Sequence, residues 1–169
     1  MATTKYLKTG GATGITEGTT IDTSAGAGDS GKIPSLDSSG KLDSTFMPTG
    51  FGSDTLSLTA GEALSAGDLI YINGSGQMLK ADADSASKAA VGFVLSSVSN
   101  GATGTAYLGG GLITGLTSLT SGAAYFLSQT AGGITTTAPS GTNVIVQSVG
   151  YAASATVLVF LPQQPVLLI

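Results

Sequence analysis

The sequence predicts an all-β protein: a β-barrel or β-sandwich domain of about eight short strands at residues 56–169, preceded by an extended N-terminal arm at residues 1–55. Three observations lead there. The chain holds 26 Gly among abundant Ser, Thr and Ala, with short β-branched and aliphatic clusters between them, a composition that suits strands joined by small-residue turns. Turn signals recur about every 8–12 residues after Leu56, the spacing of a sandwich or barrel. No stretch beyond that point repeats its apolar residues with the helical period of about 3.6. Asp82–Ala90 has room for one helical turn and no more.

The strands follow in order. Leu69–Ile72 runs into Asn73-Gly74, a dipeptide whose residues tolerate positive φ and so suit a tight hairpin turn, with Gln77–Ala81 returning. Val91–Leu95 leads toward Asn100-Gly101, and Thr105–Leu108 lies beyond. Ala124–Leu127 and Ile134–Thr137 flank the turn Ala131-Gly132-Gly133, and Val144–Val149 and Thr156–Leu161 complete the set. There is an internal echo at an offset of about 55 residues. Leu64-Ser65-Ala66-Gly67 answers to Leu119-Thr120-Ser121-Gly122, and Val91-Gly92-Phe93 to Val149-Gly150-Tyr151. It predicts two similar lobes, 56–110 and 111–169, sharing one core.

The arm is built differently. It holds ten of the sixteen charged residues, is interrupted by Gly every few positions and lacks sustained apolar periodicity. Such a segment buries too little surface to offset its own ordering entropy. Its apolar residues, among them Tyr6, Leu7, Ile33, Leu36, Leu42 and Phe46, are spaced as if each docks separately.

Charge is the other unusual feature. Charged residues make up 9% of the chain, against roughly 25% in an ordinary soluble domain. From Ala89 to Ile169 there is no Asp, Glu, Lys or Arg. A surface so short of charge has little to keep copies apart. The tail Val166-Leu167-Leu168-Ile169 gains several kcal/mol, at about 25 cal/mol per Å², from being covered. It can dock as a last edge strand of its own subunit or against a neighbour, and the scarcity of charge points to a symmetric homo-oligomer.

The same composition excludes several functions. The net charge is −4 and no basic residues cluster, so nucleic acid is not an expected partner. No apolar run approaches the roughly 20 residues of a membrane span, and no secretory signal follows Lys5 and Lys8, so a soluble chain is expected. With no His and no Cys, the commonest general base and metal ligands are missing. Gly26-Ala27-Gly28-Asp29-Ser30-Gly31-Lys32 imitates a phosphate-binding loop, but Ile33 stands where a Ser or Thr would hold Mg²⁺, Pro34 follows, and no strand precedes it. Asp82-Ala83-Asp84-Ser85 opens like a calcium loop without its Gly or closing Glu, and reads as a solvated loop. Lys80 and Lys88 read as exposed residues rather than bases for a Ser nucleophile. Every carboxylate side chain lies before residue 85, mostly in the arm, which leaves no pair for glycoside cleavage. Neither an enzyme nor a cofactor is expected.

The stretch GKIPSLDSSGKLDSTFMP at residues 31–48 resembles one common in fibre and head-appendage proteins of tailed bacteriophages. Over residues 56–162 the chain resembles the small capsid decoration, or cement, proteins of phages. The likeness lies in the order of short elements: Gly67-Asp68-Leu69-Ile70-Tyr71, Ala81-Asp82, the Val-Gly-Phe and Val-Gly-Tyr steps at 91–93 and 149–151, and Thr156-Val157-Leu158-Val159. The resemblance implies a β-barrel or sandwich that sits as a homotrimer on the outer capsid surface of the virion. Its partners would be the major capsid protein and its own copies, and its effect would be to stabilise contacts between capsid subunits. The contacts expected are Tyr6, Leu7, Ile33, Leu36, Leu42 and Phe46 in the arm and Val166, Leu167, Leu168 and Ile169 in the tail. The long arm departs from the family pattern and raises an alternative, a head-fibre or tail-fibre component that binds host surface glycan. A bacterial surface adhesin is a third reading, without an export signal to support it. The fibre reading asks for exposed aromatics, whereas Tyr107, Tyr125 and Tyr151 read as core residues.

Overall fold

The structure is a computed structural model that describes residues 5–10, 14–47 and 54–169. The chain divides into two units, Met1–Phe51 and Gly52–Ile169, where the composition places the end of the arm at residue 55.

The first unit holds a hairpin that the sequence pattern does not predict, β1 (Lys5–Gly10) paired antiparallel with β2 (Gly14–Thr19). The Tyr6 ring lies over Gly18, its cross-strand partner, where a Cβ would come within 2.5 Å of the ring. Beyond the hairpin the backbone is held by turns and one parallel bridge, Ile21 to Pro34. Asp37 closes a hairpin loop by accepting the N–H groups of Ser39 and Lys41 at 2.8 and 2.9 Å, with Gly40 at φ 73°. That side chain satisfies backbone donors which would otherwise need water.

The second unit is all β, built of curled antiparallel sheets. Its first half contains β3 (Asp54–Thr59), β4 (Leu69–Ile72), β5 (Met78–Lys80), β6 (Gly92–Phe93) and β7 (Thr103–Leu108). The second half contains β8 (Gly111–Thr114), β9 (Ala124–Leu127), β10 (Ile134–Thr135), β11 (Ile145–Val146), β12 (Ser148–Ser154), β13 (Val157–Phe160) and β14 (Val166–Leu167). All eight strand positions read from the sequence carry strand structure. β3 and β8 were not foreseen, Val144–Val149 divides between β11 and the start of β12, and the tail forms β14.

One turn differs from expectation. Positive φ falls on Gly76 (75°), not on Asn73 or Gly74. Asn73 stays in line with its strand because its Oδ1 accepts the N–H groups of Ser75 and Gln77, both at 2.9 Å. The loop is therefore three residues long, with Gly76 in the left-handed region. It repeats the device at Asp37 residue for residue.

The two halves have one topology. The sheet orders are β5-β4-β6-β7-β3 and β10-β9-β12-β13-β8, so each repeat places its first strand beside its last. The register agrees as well. Ile70 faces Gly92, which faces Leu108, which faces Asp54; in the second repeat Tyr125 faces Gly150, Phe160 and Gly111 in the same sequence. Backbone bonds outside the ladders repeat too, with Gly67 N–H to Val94 O and Gly122 N–H to Ala152 O both at 2.8 Å.

The shared glycines sit where nothing larger fits. A Cβ on Gly92 would come within 2.5 Å of the Tyr107 carbonyl oxygen, and one on Gly150 (φ 138°) would collide with the Val159 carbonyl. Each opposes the matching residue of the matching strand. The internal echo is thus a structural duplication.

Residues that pair across a ladder point to one side of the sheet, so each sheet has a front (Ile70 and Tyr125) and a back (Leu69 and Ala124). The main core is formed by the back of the first sheet, Leu69 and Phe93 with Tyr71 and Tyr107 against them, and the front of the second, Ile113, Tyr125, Leu127, Leu158 and Phe160. Phe93 stacks on Tyr107 and meets Phe160 edge to face, with centroids 5.4 and 5.3 Å apart. A smaller core lies on the front of the first sheet, where Ala60, Leu64 and Val98 cover Ile70, Met78, Val94 and Ala106.

Candidate functional site

Ionisable groups come first. Asp82, expected in a solvated loop, is 6% exposed. Its Oδ2 takes the Lys88 ammonium at 2.8 Å and its Oδ1 accepts the Asp84 N–H at 3.1 Å. The ion pair holds Lys88 protonated to higher pH than an ordinary lysine. Lys80 is also paired, with Asp68 at 3.3 Å. A lysine base needs a free, desolvated amine, and neither offers one. Asp84 is exposed and takes a hydrogen bond from Gln129 Nε2 at 3.0 Å.

The phosphate-loop imitation closes as a short 3₁₀ turn at Ala27–Asp29. Lys32 turns back onto Asp29 at 2.6 Å, and Asp29 Oδ2 accepts the Ala25 N–H at 2.6 Å. These bonds, the lysine foremost, hold the Asp29 carboxyl below the usual carboxylate range. Asp43 is lowered as well, by the Thr45 N–H and then the Thr45 hydroxyl. Among the described residues no three His, Cys, Asp or Glu gather in a metal-holding group. Two grooves of about 370 and 340 Å³ lie on the surface, and no ionisable side chain lines either.

Apolar exposure is more informative. In the first unit Leu7 (72%) on β1 and Ile33, Leu36 (62%) and Leu42 in the irregular segments beyond the hairpin stand exposed, and Tyr6 and Phe46 are half-buried. Ile15, absent from the expected contacts, is 71% exposed and lies diagonally across the hairpin from Leu7. In the tail, β14 pairs with β11 of the same chain, Ile145 opposite Leu167 and Val146 opposite Val166. The backbone thus takes the edge-strand place while the side chains stay outside: Val166 and Leu167 are exposed, Leu168 is half-buried and Ile169 is fully exposed. One buried amide anchors the region: Gln147 Oε1 accepts the Ala90 N–H at 2.8 Å, and its Nε2 donates to Ala90 O and Gln163 O.

The three tyrosines separate. Tyr125 is buried and Tyr107 half-buried on Phe93, but Tyr151 is 47% exposed. The expectation of a core Tyr151 is corrected for a plain reason: it lies on the back of the second sheet, away from the front that packs on the first sheet. Leu112, two strands further across the same back beyond Val159, is 54% exposed.

No protein-family model matches the chain, and no curated protein matches it.

Proposed function

We propose that the chain is a structural virion protein: a decoration protein that sits as a homotrimer on the outer surface of a phage head and stabilises contacts between major capsid subunits. The observation that carries this reading is the combination of two units of opposite character. One presents single exposed apolar side chains, Leu7, Ile33, Leu36 and Leu42, among charged turns. The other is a β unit whose second repeat has no charged residue and yet exposes Leu112, Tyr151, Val166 and Ile169. A surface of this kind suits permanent cover by other protein subunits. Lys5, Lys32, Lys80 and Lys88 are tied to carboxylates and the two grooves described above lack ionisable side chains, so binding fits the chain better than catalysis.

The mechanism is additive. Each arm lays isolated apolar anchors on a shell subunit, and each anchor alone is a minor contact. Tied through a trimer, three arms bind with a far smaller loss of freedom per contact than three separate chains. The added buried area opposes shell expansion under internal pressure.

The test is cosedimentation of the purified chain with phage shells, with bound copies counted. The expected result is saturation at a copy number that scales with the shell subunits, and weakened binding for the double variant Leu36→Ser, Leu42→Ser. Failure to bind any shell overturns the reading, and a few copies confined to one point of the particle make the protein a fibre component.

A further inference from the structure

The two five-stranded sheets of the second unit end in four edge strands, β3 and β5 in the first sheet and β8 and β10 in the second. An edge strand offers a row of unpaired N–H and C=O groups, and proteins protect such rows with charge, proline, a bulge, a very short strand or cover. Three of the four edges are protected. β5 carries Lys80, and Ala60 bridges to Met78 along its outer side. β3 opens on Asp54. β10 is two residues long. β8 has no charge, no proline and an unbroken register with β13, and among the described residues no strand pairs with its other side.

The ladder fixes which groups of β8 face outward. The Leu161 N–H donates to Val149 O at 2.9 Å, in line with the β12–β13 register, so Leu161 and Val159 turn their backbone toward β12. Backbone direction alternates along a strand, and Leu158 and Phe160 therefore turn toward β8. Their partners Ile113 and Gly111 bond inward, which leaves the N–H and C=O of Leu112 and Thr114 pointing out of the sheet edge. The same two residues carry exposed side chains, Leu112 at 54%. Open backbone and open side chain coincide in the middle of an uncharged edge.

We propose that β8 pairs antiparallel with β8 of a second copy across a two-fold axis at Leu112, joining the second sheets of both copies into one. Leu112 then opposes Leu112 of the other copy, and Thr114 opposes Gly110, whose missing side chain leaves room for the threonine. A two-fold axis sets the central residue against itself: a charged residue there repels its copy, whereas a leucine packs on it. The row Tyr151, Val159, Leu112 continues on the same side into Leu112, Val159 and Tyr151 of the second copy, with no charged residue along it. Such a contact is isologous and closes at two copies. It goes beyond the homotrimer reading and does not rest on it: a three-fold contact uses other surfaces, and the two-fold then links one trimer to the next.

The chain has no cysteine, so single-cysteine variants of the full-length protein report the pairing directly. A directly opposed, hydrogen-bonded pair holds its Cα atoms about 5.5 Å apart, within disulfide reach. Leu112→Cys is expected to oxidise almost wholly to a covalent dimer on a non-reducing gel. Tyr151→Cys, exposed on the same side, is the control: five strand spacings of about 4.8 Å separate it from its copy, and it is expected to run as a single chain. By sedimentation velocity the wild type is expected at an even multiple of the chain mass. Leu112→Lys and Leu112→Glu are each expected to halve that mass, and an equal mixture of the two to restore it, since Lys then faces Glu. Melting within a few degrees of wild type is the folding control. A Leu112→Cys chain that gives no more covalent dimer than Tyr151→Cys overturns the pairing, as do Leu112 variants that sediment like wild type. Lysine and glutamate variants that dissociate and do not recombine overturn the axis at Leu112. A wild type of three copies with no cross-link at Leu112 overturns the two-fold and leaves the homotrimer standing; a wild type that stays monomeric overturns both.

Discussion

The two repeats of the second unit share one strand order and the register through Gly92 and Gly150, with irregularities only in β12, and differ in what lies against them. Volume follows cover. Where the second sheet's front faces another sheet it carries Tyr125, Leu158 and Phe160; the first sheet's front, covered by its own loops, carries Ile70, Ala106 and Leu108 at the same positions. Charge follows cover as well, since every charged residue of the unit belongs to the first repeat or the loops that extend it. The fold constrains few identities. Leu64 with Leu119, Gly67 with Gly122 and Gly92 with Gly150 recur because turns and close strand approaches demand them; the remaining positions are free to answer to their neighbours.

The sharpest way to break this comparison is at its paired glycines. Gly150→Ala places a methyl on the Val159 carbonyl and strains a backbone at φ 138°, whereas Gly92→Ala meets only the steric conflict with Tyr107 and Leu108. Gly150→Ala is expected to cost more than about 4 kcal/mol, enough to prevent folding, and Gly92→Ala less. Urea denaturation of both variants measures the difference; equal costs would mean that φ contributes nothing there.

The next test compares one register position under two covers. Phe160 is fully buried between the sheets, and its counterpart Leu108 is half-buried under loops. Phe160→Ala is expected to cost about 3–5 kcal/mol and Leu108→Ala about 2 kcal/mol, near the low end for a buried leucine. A Leu108 variant as damaging as the Phe160 variant would show that the smaller core is no less important than the shared one.

The seam between the repeats is sharpened by Gln147→Leu. The side chain is of similar size, but it leaves the Ala90 N–H and two carbonyls without their partners. The expected cost is about 1–3 kcal/mol for a buried donor left unpaired, read by the same urea titration. Faster amide exchange at Ala90 would tie the loss to that bond.

Much of this was legible in the residues. The eight strand positions followed from apolar clusters between turns, and the duplication from Gly67 and Gly92 answering to Gly122 and Gly150 at similar spacing. β3 hid because Asp54–Thr59 sits where the charged segment ends, and β8 because its four residues start at the last of three glycines and give little pattern. The hairpin of β1 and β2 was missed because Lys, Thr and Gly leave it no continuous apolar side. Faces were not legible at all. Val-Gly-Phe and Val-Gly-Tyr are nearly one motif, yet Phe93 is buried and Tyr151 exposed, since sheet stacking rather than local pattern decides which side is covered.

The smallest expected effect probes the charge difference between the repeats. The Asp82–Lys88 pair, in the loop between β5 and β6, has no counterpart after β10, where no charged residue exists. Lys88 is held protonated above its ordinary range by its hydrogen bond to Asp82. A raised lysine pKa adds stability that is complete below the unfolded value, about pH 10.4, and is lost as pH rises through the folded value. The Lys88 side chain is 41% exposed, so solvent screens the pair and the effect stays small. The carboxylates of the first unit act in the opposite direction: Asp29 and Asp43 are lowered, so their contribution is present above about pH 3.9 and lost as acid protonates them. Thermal melts of the whole chain are expected to be flat from neutrality to about pH 10 and then to fall. Lys88→Arg keeps the charge and moves that fall to higher pH. If the arginine variant falls at the same pH as wild type, the alkaline loss has another source and the ion pair is not what distinguishes the first repeat.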